Sequence, residues 1–129
     1  MRILLDTHCL LWARAAPQRL SRRARSAILS PRNDLFVSAA SVWEIVVKHA
    51  LGKLPLRRPP EELVPEMIAA TEATTLPVTA AHALRVASLP RHHADPFDRM
   101  LVAQALVEGL TLLTADARLS AYGVKVLRA

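Results

Sequence analysis

The chain alternates short, largely apolar runs with longer stretches in which apolar residues recur every three or four positions. The short runs are Arg2 to Leu5, Leu35 to Val37, Leu76 to Val78, Leu110 to Leu113 and Val124 to Leu127. Asp6 ends the first, the turn-like Pro31 to Asp34 precedes the second, and Gly123 precedes the last. Apolar and polar residues do not alternate within them, so they read as strands covered on both faces. The longer stretches predict helices over Leu20 to Leu29, Ala39 to Leu51, Glu61 to Thr71, Ala80 to Ala87 and Pro96 to Glu108. Strand followed by helix in this order predicts an α/β fold. Its central sheet is mainly parallel, of about five strands, with helices on both faces. Ligands of such sheets bind beyond the carboxyl ends of the strands, where the winding reverses. That edge is where chemistry is to be sought. The length, 129 residues, predicts one domain over 1–129, without internal repeat, and Arg57 to Pro60 reads as an exposed loop.

Composition narrows the function. At 52% hydrophobic and 22% charged the chain can bury a core. Its formal net charge is +6, and fourteen of the seventeen cations are Arg, the side chain that grips phosphate through a planar fork. This balance points to polyanionic partners, nucleic acid above all. Only five aromatic residues occur, Trp12, Phe36, Trp43, Phe97 and Tyr122, which argues against single-strand binding on stacked rings. Arg19, Arg22, Arg23 and Arg25 form a basic cluster, either a solvated face or a track for an RNA backbone. Cys9 is alone, which excludes a disulfide framework and a Cys/His zinc site. No stretch approaches the roughly 20 apolar residues of a membrane span. The apolar opening, Ile3 to Trp12, is interrupted by Asp6 and His8 and does not read as a signal peptide, so the expected address is the cytoplasm.

Eleven acids are few enough to weigh singly. Glu61, Glu62, Glu66 and Glu72 read as a solvated helix face, Asp34 as a turn residue and Glu108 as a helix end. Asp6 stands where the first strand ends, as a cap for the following helix or as a site residue. Glu44 has two structural readings, a Ser41–Glu44 capping box and an ion pair with Lys48. Yet Val42, Trp43, Ile45, Val46 and Val47 make its helix apolar almost all round, and a buried carboxylate needs a strong partner. Asp95 reads as the cap of the helix that Pro96 opens, leaving Asp98 in the first turn above a core-facing stripe with Val102 and Ala105. Asp116 lies just past another strand, as a cap or a ligand, with the Thr114 hydroxyl nearby to orient a neighbour. His8, His49 and His82 read as surface or packing residues, and His92 and His93 as loop residues that could approach substrate. Carboxylates converging on one edge repel each other unless a cation binds. Oxygen ligands select a hard ion, Mg²⁺ or Mn²⁺, which can lower the pKa of a water and stabilise charge on a leaving oxygen. A basic chain around an acidic pocket is the arrangement expected of a nuclease.

Four blocks carry a resemblance. Leu4-Leu-Asp-Thr-His-Cys-Leu-Leu-Trp12, Ser38-Ala-Ala-Ser-Val-Trp-Glu-Ile45, Asp95-Pro-Phe-Asp-Arg-Met-Leu-Val-Ala-Gln104 and Gly109-Leu-Thr-Leu-Leu-Thr-Ala-Asp116 resemble the PIN domain, and within it the VapC-type ribonuclease toxins. The likeness spans essentially the whole chain, in family order. It implies a three-layer α/β/α sandwich and Mg²⁺- or Mn²⁺-dependent cleavage of RNA, leaving a 5′-phosphate and a 3′-hydroxyl. It assigns Asp6, Glu44, Asp98 and Asp116 as catalytic metal ligands; Thr7, Ser38, Asp95 and Thr114 are candidate supporting residues beside them. It also implies a homodimer and an antitoxin protein whose tail covers the acidic pocket. The rival from another class is a non-catalytic basic nucleic-acid-binding module, with a housekeeping RNA-processing nuclease as the rival within the fold. A phosphoacceptor signalling domain would need paired acids after the first strand, where Thr7 follows Asp6, and an acceptor acid near Val78, where Thr79 stands.

Overall fold

A computed structural model describes residues 1–129. Its strands are β1 (Arg2–Leu5), β2 (Asp34–Ser38), β3 (Thr74–Leu76), β4 (Thr111–Thr114) and β5 (Val126–Arg128). They form one sheet in the order β3-β2-β1-β4-β5, every pair parallel. The helices are α1 (Thr7–Ala15), α2 (Arg22–Leu29), α3 (Ala39–Ala50), α4 (Pro60–Thr71), α5 (Ala80–Val86) and α6 (Pro96–Glu108). Short 3₁₀ turns occupy Pro17–Arg19 and Ala117–Tyr122. No helix is long and apolar enough to cross a membrane.

The three layers follow from the period-two geometry of the strands. Ile3 and Leu5 of β1 point into one core with Leu35, Val37, Leu113 and residues of α1, α2, α3 and α4. Leu4 points the other way, into a second core with Leu112 and the apolar face of α6, including Leu101, Val102 and Ala105. Both faces are therefore covered, which explains why Ile3, Leu4 and Leu5 of β1 and Leu112 and Leu113 of β4 are all apolar with no alternation. The chain lays β1, β2 and β3 outward in one direction, then places β4 on the opposite side of β1. The winding reverses between β1 and β4, and their carboxyl ends deliver Asp6 and Asp116 to that point.

Two expectations need correction, and one helix was not expected at all. The helix α1 had no clear signal, because Cys9, Leu10, Leu11, Trp12 and Ala13 leave it with hardly any polar face to mark a period. Its Trp12 ring is covered by the Arg19 guanidinium, 4.5 Å from the ring centroid. The third strand is Thr74–Leu76 and not Leu76 to Val78: Pro77 has no N–H for the ladder, so pairing stops before it and Val78 is left exposed. As an edge strand, β3 carries two exposed threonines and not a doubly buried apolar run. Finally, α2 starts at Arg22, capped by the Ser21 hydroxyl accepting from the Ala24 N–H at 3.0 Å.

Helix α6 ends at Gly109, whose φ of 67° lies in the left-handed region. A Cβ there would meet no atom within 4 Å, so only backbone strain opposes a side chain. We expect Gly109→Ala to lower the unfolding free energy by about 1 kcal/mol, and Gly109→Asn by less, in urea titrations. A loss of several kcal/mol would show that the residue serves more than helix termination.

Candidate active site

Asp6 closes β1 and is only 6% exposed. Its N–H donates to the Leu113 carbonyl at 3.0 Å, joining the ends of β1 and β4. Its Oδ1 accepts from the Cys9 N–H at 2.8 Å and caps α1. The cap and the place beside the switch point coexist in one residue. Burial first, and then the Asp6 charge, push the Cys9 thiol far above its usual range, so this buried sulfur is no nucleophile.

Glu44 lies on α3 and is 2% exposed. The expected Ser41–Glu44 capping box does not form. Strand β2 runs straight into α3, so the cap falls to Ser38, whose hydroxyl accepts from the Ala40 N–H at 3.0 Å. The Ser41 hydroxyl, one turn in, is buried without a partner. Glu44 does form its ion pair with Lys48 through Oε2, and Oε1 accepts from the Thr7 hydroxyl at 2.5 Å. Lys48 Nζ lies 3.7 Å from Asp95 Oδ2 as well. Partial burial pulls the Lys48 pKa down, but hydrogen bonding and charge from Glu44, with Asp95 and Asp98, outweigh it and hold the ammonium above its ordinary value.

Asp95 caps α6, its Oδ1 accepting from the Phe97 N–H at 2.8 Å and, more loosely, from the Asp98 N–H at 3.4 Å. With the cap supplied by Asp95, Asp98 is left to face its neighbours. Burial and the charges of Asp95, Glu44 and Asp6 push its carboxyl up to about 7, against the opposing His93 ring. Asp116 is the opposite case. Arg118 donates to it from the backbone N–H, Nε and Nη2, and these bonds, with one from His93, hold its carboxyl well below the usual carboxylate range. The Thr114 hydroxyl accepts from the Asp116 N–H at 3.0 Å and fixes the turn that presents it.

Of the four predicted acids, the structure draws Asp98 and Asp116 into one cluster, and the third member is His93. One ligand atom from each lies within 4.8 Å of the others. Asp6 and Glu44 are not part of that trio, although Asp98 feels the charge of both. The sequence placed His93 on a loop, able to approach substrate but not among the acids' partners. Nothing in its local pattern announced that the segment before α6 folds back to β4, so its 2.9 Å contact with Asp116 Oδ2 is visible only in three dimensions.

Arg99 was also silent in the sequence. It lies one residue beyond Asp98, but its guanidinium turns away from the acids to the carbonyls of Val86, Leu89 and Pro90 and to the Tyr122 hydroxyl. This pins the loop that carries His93. His82, read as a surface or packing residue, is fully buried and meets Glu108 at 2.9 Å, so Glu108 joins α5 to α6 and is not only a solubilising end. The arrangement is thus a set of carboxylates with excess negative charge, one of them strained toward its protonated form. Carboxylate oxygens in that condition fit a hard divalent cation.

Comparison with known proteins agrees with this architecture. The PIN domain family model matches residues 3–125. Ribonuclease VapC22 of Mycobacterium tuberculosis is 32% identical over 121 residues, covering 93% of this chain and 91% of the relative. Ribonuclease VapC16 of the same organism is 38% identical over 58 residues, 45% of this chain and 41% of the relative. Among solved structures, VapBC2 from Rickettsia felis bound to a promoter DNA fragment superposes with a TM-score of 0.75 at 13% identity, over 99% of this chain and 98% of that one. VapBC-1 from nontypeable Haemophilus influenzae gives 0.68 at 18% identity, over 99% and 98%. The sheet order, the acids gathered at its switch point and these matches lead to one conclusion: this chain belongs to the PIN domain family and is of the VapC type.

Proposed function

We propose that this protein is a divalent-metal-dependent endoribonuclease that hydrolyses RNA phosphodiester bonds in the cytoplasm. On this reading the whole chain, 1–129, is one nuclease domain and the toxin of a toxin–antitoxin pair. The observation that carries the reading is Asp98. It is a carboxyl group crowded by Asp95, Glu44 and Asp6 and set against Asp116 through His93, at the one point in the sheet where ligands are expected. The relatives named as ribonucleases support RNA as the substrate.

In this proposal Asp6, Glu44, Asp98 and Asp116 hold Mg²⁺ or Mn²⁺, directly or through water. When bound, such an ion supplies activation of a water for attack on phosphorus and neutralises charge on the departing oxygen. The protein supplies the geometry. Thr7 holds Glu44 by its hydroxyl, and Ser38 starts α3 in the register that aims Glu44 inward. Asp95 takes the cap of α6 so that Asp98 need not, and Thr114 fixes the Asp116 turn. Arg118, largely exposed and adjacent to Asp116, is placed to meet a phosphate of the strand. A homodimer and an antitoxin covering this pocket belong to the same proposal, supported by the VapBC complexes among the structural neighbours.

The test is incubation of purified protein with single-stranded RNA and Mg²⁺ or Mn²⁺, with and without EDTA. We expect cleavage that EDTA abolishes and excess Mn²⁺ restores. Cleavage unaffected by EDTA would refute the metal mechanism. RNA binding that weakens steeply with salt, with no cut under any metal, would favour the non-catalytic module.

A further inference from the structure

His93 is the member of the acidic cluster that the nuclease reading leaves without a task. Its side chain is only 8% exposed, and both ring nitrogens are engaged. Nδ1 lies 3.0 Å from the Asp95 backbone N–H, which donates to it. A nitrogen that accepts a hydrogen bond carries no proton, so the ring's proton sits on Nε2. There it faces two carboxylate oxygens, Asp116 Oδ2 at 2.9 Å and Asp98 Oδ2 at 3.4 Å.

Two further contacts bear on this assignment. Arg118 Nη2 approaches Nε2 at 3.0 Å, but Arg118 is 68% exposed and donates to Asp116 through two side-chain nitrogens. A protonated Nε2 cannot accept from that guanidinium, so the two donors compete. The Asp95 N–H is fixed backbone and the exposed Arg118 side chain can turn aside, so the backbone contact sets the tautomer. The His93 loop itself has little freedom. Arg99 binds three carbonyls at its start, and the neighbouring His92 ring packs edge-on against Tyr122 with centroids 5.0 Å apart. The ring is held from behind as well as in front.

The same geometry decides against the obvious alternative, that His93 is itself a metal ligand. A neutral histidine that binds a metal through Nε2 keeps its proton on Nδ1 and donates it to an acceptor. Here Nδ1 meets an N–H, and two donors would collide. We propose that His93 is a positioning residue of this site: locked as the Nε2–H tautomer by the Asp95 backbone, it donates to Asp116, stands against Asp98, and sets the spacing of the two carboxylates for a divalent ion that it does not itself ligate. The inference rests on the nuclease reading for the ion, but not for the tautomer.

Two measurements test it. In ¹⁵N NMR of the folded, metal-free protein, with the His93 signals assigned by comparison with His93→Gln, Nε2 should be the protonated nitrogen and should remain so when Mg²⁺ is added. Loss of the Nε2 proton on adding Mg²⁺, or a proton found on Nδ1, would overturn the proposal. In Mn²⁺ titrations followed by EPR, His93→Ala should bind Mn²⁺ roughly 10-fold more weakly, the scale of a lost partner behind the ligands. His93→Gln, whose amide keeps a donor near Nε2, should recover most of that loss. Equal affinity in wild type and His93→Ala, or no rescue by His93→Gln in a variant that melts like wild type, would also overturn it. Wild type that fails to bind Mn²⁺ at all would sink the metal reading instead, and the tautomer would then decide the fate of His93.

Discussion

Asp98→Asn is expected to reduce RNA cleavage more than about 100-fold, beyond what loss of a partner behind the ligands costs, while making the metal-free protein more stable at neutral pH. The two effects separate a functional acid from a structural one. Asparagine keeps the size and the first-turn position of the side chain, and the cap of α6 is untouched because Asp95 supplies it. What disappears is a charge held among Asp95, Glu44 and Asp6. The sign follows from linkage. The Asp98 carboxyl titrates near 3.8 when unfolded and at about 7 when folded. The folded state therefore keeps a proton that the unfolded state has released, and stability falls as pH rises between those values. Below pH 4 the carboxyl is protonated in both states and the variant gains nothing. Above pH 7 it gains in full, about 2 kcal/mol after allowance for partial solvent access, which is on the order of 5 °C in Tm. Thermal melts at pH 4 and pH 8 in EDTA, beside cleavage assays in Mn²⁺, check both halves. A variant that still cuts RNA and melts lower at pH 8 would make Asp98 a structural residue.

The α/β class and the position of the acids at the carboxyl edge were legible in the sequence because both rest on local pattern. The doubly buried strands β1 and β4 show through the non-alternating Ile3-Leu4-Leu5 and Leu112-Leu113, and Asp6 and Asp116 are simply the first charges after them. What the sequence concealed was long-range or lacked contrast. Helix α1 is apolar on nearly every side, so it has no polar stripe to count against. The edge strand β3 pairs through its backbone while exposing Thr74 and Thr75, and Leu76 read as its beginning when it is its end. Ser41 and Glu44 have capping-box spacing, but spacing cannot say that β2 passes into α3 without a loop. His93 meets Asp116 across 23 positions, and Arg99 meets the end of α5 across 13. Neither contact leaves a trace in spacing. Of the acids, Asp98 and Asp116 come together around His93, whereas Asp6 and Glu44 are turned to the α1 cap and to Lys48.

That last contact makes Lys48 a resident cation of the pocket, and removing it should show whether a metal takes over its task. Its ammonium touches Glu44, lies 3.7 Å from Asp95 and stands 5.7 Å from the Phe97 ring centroid. Lys48→Met keeps the length of the side chain and deletes the charge. Glu44 would then be a buried carboxylate with Thr7 as its one hydrogen-bond donor, and the metal-free protein should lose about 2 kcal/mol. That is less than a fully buried broken pair would cost, because Lys48 is itself 30% exposed. The Lys48 pKa is raised, so its stabilisation is complete below the unfolded value of 10.5 and fades only as pH climbs through the folded one. The difference between wild type and variant should accordingly not decline up to pH 9, and it should grow modestly through pH 7 as Asp98 ionises near the ammonium. A divalent ion should close the gap. At about 100 times its Kd any ligand of the folded state adds about 2.7 kcal/mol, and an ion that meets Glu44 without a competing ammonium should bind the variant more tightly. Mn²⁺ should therefore raise the Tm of Lys48→Met more than that of wild type at the same concentration. Equal increments in the two proteins would mean that the ion and the ammonium never contend for Glu44, and Glu44 would then be the lysine's partner and not the metal's.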